Sequence, residues 1–110
     1  MTHITITKDA FNNITKVVCD GHTNYGVSGE DIVCSALSSI VQTAVLGLLT
    51  YVQIDLKLER NEKRGFLSFE IPKYLDSSKQ HDVNLILNTM LCGISDLREG
   101  YSDFIELEVN

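Results

Sequence analysis

The chain has no paired cysteines, no basic excess, no leader-like start and no low-complexity stretch. Its three cysteines, Cys19, Cys34 and Cys92, are odd in number and form no CxxC pair. Neither a disulfide framework nor a four-cysteine zinc site is therefore expected, and free thiols are. No metal or cofactor is expected either, because a His22, Asp31 and Cys34 ligand set lacks the CxxC or HxxxH spacing typical of zinc. Nine basic residues against fifteen acidic ones leave a net charge of −6. That balance repels phosphate backbones and anionic lipid, so direct binding of nucleic acid or of a membrane is not expected. No apolar run is expected to reach the roughly 20 residues of a membrane span, and residues 1–8 lack the charged start and apolar middle of a signal peptide. A cytoplasmic location is the expectation. With 110 residues, 44% of them hydrophobic, and no linker or tail, the chain reads as a single domain over residues 1–110.

Residues 3–7 alternate polar and apolar side chains, and residues 14–20 are rich in β-branched ones, with Asn12 and Asn13 as turn formers between them. This predicts a first hairpin. Val33, Ala36, Leu37, Ile40, Ala44 and Leu48 then recur at helical spacing and predict a helix from about residue 31 to 50. Residues 52–59 and 66–71 alternate around a charged, glycine-ended turn, the pattern of a second hairpin, and Pro72 ends its return strand. A second amphipathic helix is predicted from about residue 79 to 98, with Val83, Ile86, Leu87, Met90, Leu91, Ile94 and Leu97 on its core face and Gly100 just past its end. Residues 104–109 alternate as a last strand. The predicted class is α+β, in the order β-β-α-β-β-α-β, with a largely antiparallel sheet packed against two amphipathic helices.

The chemistry concentrates in GHTNYGVSGEDIVCSA, residues 21–36, where His22 and Cys34 flank a glycine-bounded loop that runs into the first helix. Ser28 and Asp31 have the spacing of a capping box, which starts the helix at Gly29 and puts Cys34 near its second turn. If Asp31 is itself the N-cap, Cys34 moves into the first turn, where unpaired N–H groups and the dipole favour a thiolate. Either way Cys34 points about 80° from the centre of the apolar stripe, at the border of the core, and Asp31 and Ser38 share its flank. A thiol to attack, an imidazole to carry the proton and a polar group to orient it form the set a cysteine protease needs. The structural alternatives stand beside this reading: a cysteine is usually a small core residue, and Asp31 is first of all a helix-start acid. Gly21, Gly26 and Gly29 serve turns, or a loop that opens and closes; Tyr25 is a loop anchor or a substrate contact. Cys19 and Cys92 read as packing or surface residues, and His3 and His81 as ordinary polar ones.

At Gly21-His22 and at Gly29-Glu30-Asp31-Ile32-Val33-Cys34, followed by small residues and Ser38, the chain resembles the ribosomal-processing cysteine proteases called Prp, of Firmicutes and related bacteria. The likeness in length and element order extends over all 110 residues. Thr23 and Ser35 stand where Ala is more usual in the family, and both remain small. The resemblance implies that Cys34 is the nucleophile and His22 the general base, with Asp31 and Ser38 as further motif positions. It makes the loop of Gly21, Thr23, Asn24, Tyr25, Gly26 and Gly29 a substrate loop. It also implies a homodimer, and as substrate the N-terminally extended precursor of a large-subunit ribosomal protein, cut after a short apolar motif. A basic substrate protein would suit the acidity of this chain. The competing reading is a non-catalytic, dimeric binding module or chaperone for a ribosomal component, in which Cys34 serves packing or redox sensing.

Overall fold

The computed structural model describes residues 1–21 and 30–110, with the side chains of Glu30 and Asp31 outside the description. Strands β1 (Thr2–Lys8) and β2 (Ile14–Asp20) lead to helix α1 (Glu30–Gly47), which runs on into a π-helical turn, Leu48–Val52. Strands β3 (Lys57–Asn61) and β4 (Phe66–Glu70) follow, then helix α2 (Ser77–Gly100) and strand β5 (Ile105–Val109). The order β-β-α-β-β-α-β is the one expected.

The five strands form one sheet in the order β3-β4-β2-β1-β5. Three neighbouring pairs are antiparallel, and β1 with β5 is parallel, so the sheet is mixed. Helix α1 carries the chain from β2 past β4 to β3, and α2 carries it from β4 past β2 and β1 to β5; long crossovers of this kind allow parallel strands.

Alternation sorts the sheet into two faces. The register sets Ile4 opposite Cys19, Ile6 opposite Val17 and Val17 opposite Phe69, all buried in the core that both helices cover. The other face is polar and carries the ion pairs His3–Glu106 at 3.2 Å and Lys16–Glu70 at 3.5 Å. A half-covered sheet needs this division. From α1 the core takes Val33, Leu37, Val41, Ala44 and Val45, and from α2 Val83, Leu87, Met90 and Ile94. The helices meet at small residues: Ile40 packs over Gly93 and Ile86 over Gly47.

Four boundaries differ from expectation. Residues 52–56 are not strand, because Val52 closes the π turn and Gln53 is left-handed at φ 61°. Val52 and Ile54 are buried while Gln53 is exposed, so the period-two pattern reflects a connector whose alternate residues reach the core. Gly100 ends α2 instead of following it, and Tyr101 is the C-cap, its N–H donating to Leu97 O and Arg98 O. The N-terminus of α2 extends back to the cap Asp76, whose side chain accepts from Lys79 N at 2.8 Å. Helix α1 is already formed at Glu30, so Asp31 is not its N-cap.

The expected lack of a membrane-length apolar run also needs correction. Residues Ile32–Val52 form 21 helical residues of mean hydropathy 2.0, long and apolar enough to cross a membrane. The polar positions of this stretch are small or uncharged, which lifts its average. Its apolar stripe packs on the sheet.

Candidate active site

Cys34 sits in the second turn of α1, half-buried and free of any disulfide. That places it at the border between core and surface, as the helical wheel requires. Its Sγ lies 3.5 Å from Oγ1 of Thr2, at the start of β1. Thr2 is one of the two polar residues counted as buried in the described core, the other being Ser68.

The thiol opens on a groove of about 790 Å³ between α1 and the hairpin of β3 and β4. One wall is the α1 face of Cys34, Leu37, Ser38, Val41 and Gln42. The opposite wall is Arg60, Asn61 and Glu62 with Gly65, Phe66 and Leu67, and Thr2, Cys19 and Gly21 close the end. The groove thus pairs an apolar floor with polar rims, as peptide sites do. Ser35 is exposed, yet it also reaches the groove wall.

The hairpin wall is held in place from the sheet. The pairing of β2 with β4 sets Asp20 opposite Phe66, and Arg64 from the turn reaches back to Asp20 at 2.9 Å. The same guanidinium lies 4.9 Å from the Phe66 ring centroid, within cation–π range. Gly21 is wedged between the two ends of this arrangement. Its N–H donates to Gly65 O at 3.2 Å, its φ is +146°, and a Cβ there would run into Met1 O and lie 2.7 Å from Thr2 Cα. Only glycine fits this combination of angle and space.

Of the residues singled out from sequence, Gly21, Cys34 and Ser38 line this one groove. Ser38 Oγ accepts a 2.6 Å bond from Gln42 Nε2, one turn further along α1. His22, Thr23, Asn24, Tyr25, Gly26 and Gly29 lie outside the described residues, as does the Asp31 side chain. The two described histidines are elsewhere: His3 pairs with Glu106 on the polar face, and His81 with Asp82 on α2 at 3.4 Å. Cys19 shares the groove but is 9% exposed, and burial pushes its thiol up to about 12, so it stays protonated and inert. Cys92 is exposed on α2.

Sequence reasoning missed Thr2, Gln42 and the 60–67 hairpin wall. Gln42 carried a signal, since it follows Ser38 by four residues on the same helical flank. Thr2 and the hairpin carried none, because only strand pairing brings them to the groove.

Residues 1–106 match the sequence model of the family described as Cysteine protease Prp. Ribosomal processing cysteine protease Prp of Staphylococcus aureus (strain Mu50) is 31% identical over 110 residues, covering 97% of each chain. The Bacillus subtilis (strain 168) protein of the same name is 24% identical over 110 residues, 100% of this chain and 98% of that one. In structure, the chain is similar over its full length to the essential ribosomal processing protease Prp from S. aureus in complex with a substrate peptide, with a TM-score of 0.89 and 24% identity, covering 100% of both chains.

Proposed function

Because this chain belongs to the cysteine protease Prp family, we propose that it is a site-specific endopeptidase that removes the N-terminal extension of a large-subunit ribosomal protein. The observation that carries this reading is that Cys34 opens on a peptide-sized groove whose closed end is Gly21, the residue before His22. In the mechanism we favour, substrate binding brings His22 onto Cys34, and the His22 imidazole takes up the thiol proton. The thiolate attacks the scissile carbonyl, backbone N–H groups near the start of α1 receive the oxyanion, and His22 returns the proton to the leaving amine. Water then hydrolyses the thioester and frees the enzyme.

Asp31 is assigned to orienting His22, and Ser38 to the polar side of the groove. Phe66 and Leu67, both half-buried on the groove wall, provide apolar surface for the side chains ahead of the cut. The resting enzyme is proposed to be a cytoplasmic homodimer. Support for a second copy comes from Leu46, Leu49, Tyr51 and Leu85, apolar side chains exposed on or just after the helices at 61%, 42%, 88% and 62%.

The test is cleavage of the extended precursor, read as product masses, by wild type and by folded Cys34→Ser and His22→Ala variants. Wild type is expected to cut at one site, and each variant to lose roughly 10³-fold or more in kcat/KM. Undiminished cutting by Cys34→Ser overturns the mechanism. No cleavage by folded wild type, with the precursor bound, supports the non-catalytic binding module instead. Asp31→Asn separates orientation from a purely stabilising charge in the first turn of α1: lost activity at unchanged melting temperature favours orientation.

A further inference from the structure

We propose that Thr2 is a positioning residue for the Cys34 thiol; this rests on Cys34 being the nucleophile. The hydroxyl of Thr2 lies 3.5 Å from Cys34 Sγ, and both residues line the groove. Nothing local connects them, since they are 32 residues apart and sit on different layers of the fold.

What makes the contact useful is the rigidity of both its ends. Thr2 is 6% exposed. Its N–H donates to Phe104 O at 2.9 Å, and it pairs in parallel register with Ile105, itself buried. A β-branched side chain in such a strand has little χ1 freedom, so the sheet delivers the hydroxyl to a fixed point. Cys34 is held by a helix whose neighbouring residues Val33 and Leu37 are buried at 1% and 3%. Between them, the hydroxyl fixes which way Sγ turns.

A hydroxyl is suited to this because it can reverse its role. It accepts from the thiol S–H in the resting enzyme, and donates its own O–H to the thiolate once His22 has taken the proton. It neither gains nor loses a proton over the cycle, and the general base is still required. The same strand start also backs Gly21, whose missing Cβ leaves room for Met1 O and Thr2 Cα. One structural point therefore sets both the thiol and the residue that leads into His22.

The experiment compares Thr2→Val, which keeps the shape and removes the hydroxyl, with Thr2→Ser, which keeps the hydroxyl. Precursor cleavage is measured as separate kcat and KM, together with melting temperature and the rate at which iodoacetamide modifies Cys34. Thr2→Val is expected to lower kcat roughly 10- to 100-fold, the worth of one hydrogen bond to a charged group, with KM within about 3-fold. Its Cys34 alkylation rate is expected to change with it, and Thr2→Ser to recover kcat to within about 3-fold of wild type. A Thr2→Val enzyme of normal kcat, or equal impairment of the Val and Ser variants, overturns the proposal. Cys34→Ser in the same assay separates the two layers of the argument. If it is inactive while Thr2→Val is normal, only the role of Thr2 fails; if it cuts normally, the nucleophile assignment fails first.

Discussion

Two thiols line the same groove in different surroundings. Cys19 projects from β2 into the layer between sheet and helices, opposite Ile4 on one side and Leu67 on the other, and burial alone pushes it up to about 12. Cys34 stands on the flank of α1, half-buried, with a hydroxyl partner. Residue type is constant in this comparison, so the difference lies in dielectric and hydrogen bonding. A strand position that points inward makes cysteine a small hydrophobe, and a helix position at the edge of the apolar stripe leaves it open to a substrate.

The widest expected gap between the two is in alkylation. At pH 8 a thiol titrating at about 12 is roughly one part in 10⁴ thiolate, against about one in ten for the ordinary 9.0 of a free thiol. In native protein, iodoacetamide is expected to label Cys34 and the exposed Cys92 at least roughly 100-fold faster than Cys19, as read by peptide mass mapping. Cys19 should react only after denaturation. Labelling of Cys19 at the pace of Cys34 would erase the distinction.

A second, smaller effect sharpens the comparison by disturbing the closed end of the groove that both thiols line. Gly21→Ala places a Cβ against Met1 O and Thr2 Cα at φ +146°, which is expected to lower stability by about 1–3 kcal/mol. Precursor cleavage should fall at least about 10-fold, because the strand start moves and the lead into His22 moves with it. Cys19 should remain unlabelled by iodoacetamide in the folded variant. A Gly21→Ala enzyme with wild-type melting temperature and kcat would mean that the wedge has no role.

The same contrast explains what could be read from the sequence. Elements with strong local periods were legible: the Val33, Leu37 and Val41 stripe, the 14–20 strand and the Val83 to Ile94 core face all fall within one element. So was the thiol's place at the border of α1, which follows from 100° per residue. The parallel pairing of β1 with β5 was not, because side-chain alternation does not encode strand direction. Thr2 belongs to the same class. Its alternation marks it as inward-facing, but what lies inward there is fixed by the packing of α1 over the sheet. The 52–56 segment misled for a related reason, since its alternate burial is real and the ladder that would make it a strand is absent.

The last distinction is a pH dependence that burial gives to Cys19. Its thiol is neutral in the folded protein up to about 12 and would ionise near 9.0 when exposed. Above 9.0 the unfolded state therefore binds fewer protons than the native one, so stability is full below that pH and falls as the pH rises toward 12. The loss expected by pH 10 is about 1 kcal/mol. It should appear in urea unfolding midpoints of wild type between pH 8 and pH 10 and be reduced by that amount in Cys19→Ala, which removes the titrating group and costs a roughly constant packing term at both pH values. Cys34→Ala is the control, since it leaves the Cys19 contribution in place. If the slope vanishes with Cys34 instead, the thiol that folding keeps protonated is the one in the helix, and the contrast drawn between the two cysteines is inverted.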